Sequence, residues 1–285
     1  MRKRRGRTCK RLHQEPRDQH DFSRALRRIN ERIQARDFAA GLADANRELG
    51  RAHHGPHEQA RVLALVADSE FKRGAFEEAA GIFLQSAART LDHHRGWIRP
   101  QVGAVRALLR AARVDEALLM ARQAVAVAQQ KMEVFDGAVR RANAELAAKG
   151  SVVVPPLPAR VSVVATRMGH LFLQEGEPEA AREMFERALA ATPHGACRAR
   201  QGLAHVALST SEPARALHFA ADAIRRGKYG TKTIPAWPLV IAARRKLGGW
   251  RISERLIKGL KQAPSGVRAR AVLTIVRELR RQGMR

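Results

Sequence analysis

The chain has 285 residues, 45% of them hydrophobic and 5% aromatic, with 53 Lys and Arg against 27 Asp and Glu for a formal net charge of +26. That length suits one large domain, two ordinary ones or an elongated array, and the charge sets up a field that draws polyanions: nucleic acid, an anionic membrane or an acidic protein. No stretch approaches the ~20 apolar residues needed to cross a bilayer, the basic amino-terminus lacks the apolar core of a secretory signal, and two cysteines, Cys9 and Cys197, argue for a reducing compartment and against a disulfide framework. A cytoplasmic protein is expected.

The first element in chain order is a basic tail, residues 1–21. Its opening run "MRKRRGRTCKRLHQEPR" carries eight basic residues and one acidic, with no apolar periodicity, so it is expected to be disordered alone. Such a tail binds phosphate backbones without sequence preference and weakens steeply with salt; a localisation signal and a solubility feature are the other readings. Of the 53 cations, 43 are Arg. Guanidinium forks suit phosphate and carboxylate, though GC-rich coding inflates Arg as well.

From Phe22 onward the composition is that of helices, rich in Ala, Leu, Arg, Glu and Gln. Strand-like runs are almost confined to "SVVVPPLP", whose prolines disqualify it as a central strand. All-α is the expected class, and small and aromatic residues recur at fixed intervals within it. In a frame of about 34 residues, a unit from Ser162 places Gly169 at position 8, Phe172 at 11, Gly176 at 15, Ala181 at 20, Phe185 at 24, Ala188 at 27 and Pro193 at 32.

A degenerate unit from Phe22 keeps Ile29, Phe38 and Gly41. One from Ala60 has Ala67 at 8, Gly74 at 15, Phe76 at 17, Ala79 at 20 and Phe83 at 24, and one from Ile98 has Ala112, Ala117, Ala121 and Ala124 at 15, 20, 24 and 27. Residues 131–149 either prolong the helix before them or form half a decayed repeat. Residues 150–161, with paired prolines that no helix continues through, are expected as a linker or spacer. After the Ser162 unit come one from Cys197, with Ala204, Pro213, Ala216, Ala220 and Ala223, and one from Ile234, with Trp237, Gly248, Trp250, Ser253 and Ile257. The final amphipathic stretch 267–282 reads as a cap covering the last apolar face.

This pattern resembles the tetratricopeptide repeat. The resemblance implies a right-handed superhelical solenoid of helix–turn–helix units, arranged as repeats over 22–149 with an extra helix and over 162–285 with the cap. Helices of one unit touch at positions 8, 20 and 27, where side chains must be small. In that family, positions 2, 5, 9, 12 and 13 face a concave groove. Carried onto this chain, they give Arg61, Asp68, Phe71 and Lys72; Arg99, Val102, Arg106, Leu109 and Arg110; His170 and Gln174; Arg198, Gln201 and His205; and Arg245 and Lys246. The expected partner-binding residues are the cations and histidines among them: Arg61, Lys72, Arg99, Arg106, Arg110, His170, Arg198, His205, Arg245 and Lys246. A rigid basic groove with interspersed apolar residues suits an extended acidic ligand. Some family members hold a partner's terminal carboxylate with a clamp that includes two Asn, and this sequence does not reproduce it.

No catalytic constellation emerges. "GKYGTKT" (227–233) lacks the contiguous Gly-Lys-Ser/Thr of a nucleotide loop and reads as a turn. His53, His54, His57, His93 and His94 fall in two loops one repeat apart, a spacing that a metal could bridge, but no Cys joins them and solvated loop histidines are the simpler reading. The expectation is a non-enzymatic scaffold without metal or cofactor, binding an acidic peptide or protein surface. Two alternatives are kept: a protein holding RNA or DNA backbone through tail and groove, and a regulatory repeat module acting on a separate enzyme or transcription factor.

Overall fold

The computed structural model describes residues 15–51, 55–90, 96–149, 157, 160–192, 196–226 and 236–246. Among the described residues there is helix and turn and no strand. The eleven described helices are α1 (Glu15–Gln34), α2 (Phe38–Leu49), α3 (Pro56–Arg73), α4 (Phe76–Arg89), α5 (Ile98–Arg110), α6 (Val114–Lys149), α7 (Val161–Gln174), α8 (Pro178–Ala191), α9 (Cys197–Ser209), α10 (Pro213–Arg226) and α11 (Ala236–Lys246). They fall into two compact units, Met1–Arg113 and Val114–Arg285. In the first, α1–α5 pack each against the next; in the second, α6–α11 do the same.

The turn inside each pair is one device used five times. Position 15 adopts the left-handed conformation whether or not it is glycine: Arg36 (φ 62°), Gly74 (89°), Ala112 (59°), Gly176 (88°) and Ser211 (61°). The next residue's N–H then donates to the carbonyl five residues back, in Asp37→Arg32 (3.0 Å), Ala75→Glu70 (3.0 Å), Arg113→Leu108 (2.9 Å), Glu177→Phe172 (2.8 Å) and Glu212→Ala207 (2.7 Å). This closes the first helix in the manner of a Schellman motif, satisfying carbonyls that would otherwise lack partners. The second helix begins at position 17 every time: Phe38, Phe76, Val114, Pro178 and Pro213. Proline suits this place because the first helical N–H needs no intrahelical acceptor.

A Cβ in the left-handed region costs on the order of 1–2 kcal/mol. Ala112 carries that strain with no side-chain hydrogen bond to offset it. Ala112→Gly is therefore expected to stabilise the first unit by about 0.5–1 kcal/mol after the added freedom of the unfolded chain is deducted. Hydrogen exchange in α5 checks it.

Small residues do hold the pairs together. Ala67, Ala79, Ala181, Ala204, Ala216, Ala188 and Ala223 are all fully buried. A methyl added at Gly169 would stand 2.7 Å from the Phe185 ring, far inside contact distance. Ser86, at position 27 of its pair, is buried and donates its hydroxyl to the Ala60 carbonyl at 2.7 Å, tying α4 to α3. The first pair adds charge: buried Asp44 on α2 accepts from Arg28 (3.0 Å) on α1 and from Arg47 (3.2 Å) on its own helix, and is ion-paired at 3.2 Å with Arg32 of α1, which donates to the Ala40 carbonyl.

Successive pairs meet through a second rule. Phe83 on α4 packs where Gly103 of α5 leaves room; a Cβ at Gly103 would lie 2.6 Å from its ring. Phe185 on α8 likewise meets Gly202 of α9, where a Cβ would come within 2.3 Å. At two other junctions the volumes are reversed. Ala45 on α2 shares a core with Leu65 on α3, and Ala220 on α10 shares one with Leu239 on α11. At these four junctions a large residue at position 24 meets glycine at position 6 of the next pair, or alanine shares a core with leucine; at the α6–α7 junction the two positions hold Ala121 and Arg167.

Residues 131–149 continue α6, which is a single 36-residue helix, the first of the two readings open for them. One boundary differs from expectation. The helix α1 begins at Glu15, with Pro16 in its first turn, inside the stretch expected as tail. The division into units falls at Val114, whereas most of 150–161 lies outside the described residues. The stretch 267–282 expected as a cap and the loop 227–233 lie outside them as well.

Candidate functional site

In the first unit, α1, α3 and α5 present one continuous face, and the contacts across it follow the helix positions that the repeat frame assigns to the groove. Arg99 on α5 reaches Asp68 on α3 (Nη2 to Oδ2, 3.3 Å). Arg106, two turns further along α5, lies over the Phe71 ring of α3, with its guanidinium carbon 4.1 Å from the centroid. Lys72 donates to Gln34 Oε1 at the end of α1, at 2.9 Å. Arg61 lies over the ring of Phe22 on α1 at 5.3 Å. Four of the ten expected residues therefore share this face, and Arg110 sits exposed in the last turn of α5.

The electrostatics of this face are uneven. Burial raises the Asp68 carboxyl above its ordinary 3.8, against the opposing pull of Arg99, Arg106 and Lys72. Arg99 has thus found a carboxylate. Arg106 and Arg61 lie over aromatic rings instead, a cation–π contact that leaves guanidinium N–H donors for a ligand.

In the second unit, α7 and α9 bring His170, Arg198 and His205 into one neighbourhood. His170 is partly buried and meets Phe185 edge-on, ring centroids 5.1 Å apart. Burial first, and then the nearness of His205 and Arg198, hold its pKa below the ordinary 6.5. The imidazole is consequently neutral at pH 7, and this face gains charge only in acid. Because the unfolded chain takes the proton more readily than the folded one, the stabilising contribution is complete above pH 6.5 and is lost as pH falls below it. The expected result is that the His170 ring protons titrate below the value of a free histidine in a proton NMR titration, and that His170→Phe lessens the loss of stability between pH 6.5 and 5.

Arg198 is exposed on α9. Lys246, at the end of α11, donates to the Leu208 carbonyl at 2.9 Å. Its ammonium thus serves the carboxyl-terminal end of α9, where a positive charge is favoured. Arg245 belongs to α11, and its side chain lies outside the described residues. His53, His54, His93 and His94 do too, and no group of three or more metal-ligating side chains occurs among the described residues. Cys197 is buried, with its thiol 3.5 Å from the Ala223 carbonyl. None of the described helices is long and apolar enough to cross a membrane.

The contribution of α1 was not anticipated. Ser23, Asn30 and Gln34 occupy the same frame positions as the groove residues of α3 and α5, but the weak match of the Phe22 unit hid them. Extending the frame through that unit would have exposed them.

Stacked helix pairs, joined by left-handed turns and touching at small residues, define a tetratricopeptide-like repeat chain. No family model matches it, and no curated protein matches its sequence. Solved structures that are similar include BtubC (BKLC) from P. vanneervenii, 12% identical, with a TM-score of 0.47 and 92% of each chain covered. TTC0263, a thermophilic TPR protein in Thermus thermophilus, is 20% identical, with a TM-score of 0.39 over 79% of this chain and 98% of that one. The TPR2AB-domain:pHSP90 complex of yeast Sti1 is 11% identical, with a TM-score of 0.33 and 91% of each chain covered. At these identities and scores the likeness transfers no residue role to this chain.

Proposed function

We propose that this protein is a non-enzymatic, cytoplasmic scaffold that binds an acidic peptide or an acidic protein surface along the face of its first helices. The observation that carries this reading is the pair of guanidiniums seated on aromatic rings, Arg106 on Phe71 and Arg61 on Phe22. Ring-seated arginines are positioned without being tied up in a hydrogen-bonded ion pair, so a carboxylate partner receives charge-assisted hydrogen bonds at little ordering cost. The neighbouring apolar position Val102 supplies contact between the charges. Arg99, Arg110 and Lys72 extend the same face, and Arg198 with His170 and His205 serves the second unit.

The test compares a fluorescent peptide rich in Glu and Asp, with apolar residues between the acids, against a single-stranded oligonucleotide of equal charge. Both are titrated with protein stripped of bound polyanion, at about 0.15 M salt. The peptide is expected to bind, and Arg106→Glu to weaken it at least about tenfold, since losing one charge-assisted contact and adding a repulsion costs ~1.5–3 kcal/mol or more. Unchanged affinity in Arg106→Glu overturns the assignment of this face. Tighter binding of the oligonucleotide, abolished by the same substitution, replaces the acidic partner with nucleic-acid backbone.

A further inference from the structure

Between α1, α3 and α5 of the first unit lies a cavity of about 380 Å³. That is within the range of pockets holding small organic ligands, roughly 300–1,000 Å³, and it exceeds what one acidic side chain fills. Its apolar lining comes from Leu26, Ala60, Ala64, Leu65 and Pro100. Three arginines, Arg27, Arg61 and Arg99, line it from three different helices, and no carboxylate does. Neither Arg27 nor Arg61 forms an ion pair with any described residue. The lining hydroxyls of Ser86 and Thr90 are already committed as donors, to the carbonyls of Ala60 (2.7 Å) and of Ser86 and Ala87 (both 3.1 Å). The Ser23 hydroxyl, the Asn30 amide and His57 line the cavity as well, and the charged donors it offers a ligand are guanidinium N–H groups, which select anions.

We infer that this cavity is a binding site for a small phosphate monoester whose organic part is compact and apolar. Arg27 and Arg61, neither in an ion pair with a described residue, stand beside Arg99, which already pairs with Asp68; together they exceed the charge of one carboxylate and suit a phosphate, whose several oxygens accept from more than one fork at once. The apolar wall formed by α3 takes the organic part, so that phosphate alone leaves most of the favourable contact unmade. Arg61 is fixed for this duty by its place over Phe22. The site shares Arg61 and Arg99 with the proposed peptide face, whereas Arg106 and Arg110 do not line the cavity, and a small ligand there needs no protein partner.

The experiment is calorimetric titration of the full-length protein, stripped of polyanion, at about 0.15 M salt. The probes are 1-naphthyl phosphate, inorganic phosphate and 1-naphthol. Naphthyl phosphate is expected to saturate one site with a Kd below about 1 mM, and the other two to bind at least tenfold more weakly. Arg27→Gln and Arg61→Gln should each weaken it about tenfold or more, whereas Arg110→Gln leaves it unchanged. Ala64→Leu, which narrows the cavity without altering charge, should abolish it while leaving acidic-peptide binding intact.

The inference is overturned by absence of saturable naphthyl phosphate binding, by equal affinity for inorganic phosphate, or by Arg27→Gln and Ala64→Leu proteins that bind as the parent does. Circular dichroism of each variant separates a lost site from a lost fold, and Ala64→Leu and Arg27→Gln act on different walls, so misfolding of one leaves the other decisive. Failure of the peptide reading shows instead as an unbound acidic peptide, with naphthyl phosphate binding retained.

Discussion

Phe83→Ala is expected to destabilise the first unit by about 3–5 kcal/mol, the usual cost of emptying a buried phenylalanine site. Gly103→Leu is expected to cost at least ~3 kcal/mol, because its Cβ would intrude to within 2.6 Å of a ring that is already buried. The two together should recover at least about 2 kcal/mol of the summed loss. The reason is that the double variant reproduces a junction the protein already uses twice, in Ala45 with Leu65 and in Ala220 with Leu239. Hydrogen exchange of amides in α4 and α5 reads the effect locally, which matters in a chain of two units where one global unfolding energy is not well defined. Simple addition of the two penalties would show that the matching of volumes across the junction is incidental.

Arg200→Ala should be comparably damaging in the second unit. Arg200 and Asp222 join α9 to α10, with Arg200 Nε donating to Asp222 Oδ2, and their side chains are 7% and 19% exposed. Removing the arginine leaves a poorly hydrated carboxylate beside the core, at an expected cost of about 3–5 kcal/mol. Replacing both, as Arg200→Met with Asp222→Leu, should return most of that cost, since apolar isosteres relieve the desolvation of both ions. The measurement is again hydrogen exchange, in α9 and α10. A double variant as unstable as Arg200→Ala would mean that the pair holds the helices by its geometry and not by mutual neutralisation. The contrast with Arg122 and Glu183, which pair at 2.7 Å on the surface between α6 and α8, is instructive: exposed pairs of that kind contribute little.

Much of this architecture was legible in the sequence because it depends on spacing within a single repeat. Gly74 and Gly176 marked the left-handed turns, and Ala112 could be placed at the same position by count alone. The alanines at 20 and 27 announced where helices approach, because close approach forbids anything larger. What stayed hidden depends on two repeats at once. Gly103 and Gly202 look like isolated helix glycines until the phenylalanine of the preceding pair is brought beside them. The continuity of α6 was likewise undecided, since residues 131–149 contain neither a proline nor a cap signal and Gly137 is tolerated within the helix.

The candidate face was legible as a set of positions but not as a set of engagements. Arg99 and Arg106 occupy equivalent-looking places seven residues apart on α5. One faces Asp68 and the other a phenylalanine ring, and only the stacking of α3 against α5 decides which. The same holds for Lys246, whose ammonium answers the Leu208 carbonyl. Sequence assigns these cations to a face; their availability to a ligand is a tertiary property.

The alternation of volumes at the junctions also limits how such a chain could have been assembled. Repeat arrays grow by copying a unit in tandem, and copying works only if a unit's trailing surface fits its own leading surface. The pair built from α3 and α4 fails that condition, since it leads with Leu65 and trails with Phe83. A second copy placed after the first would drive leucine into the phenylalanine ring. The α9–α10 pair fails in the opposite sense, leading with Gly202 and trailing with Ala220, and a tandem copy of it would leave a hollow. Each of these four junctions therefore admits one kind of neighbour, so the units that meet there are ordered like words in a sentence, and length could change at them only by inserting a segment whose two ends match different partners.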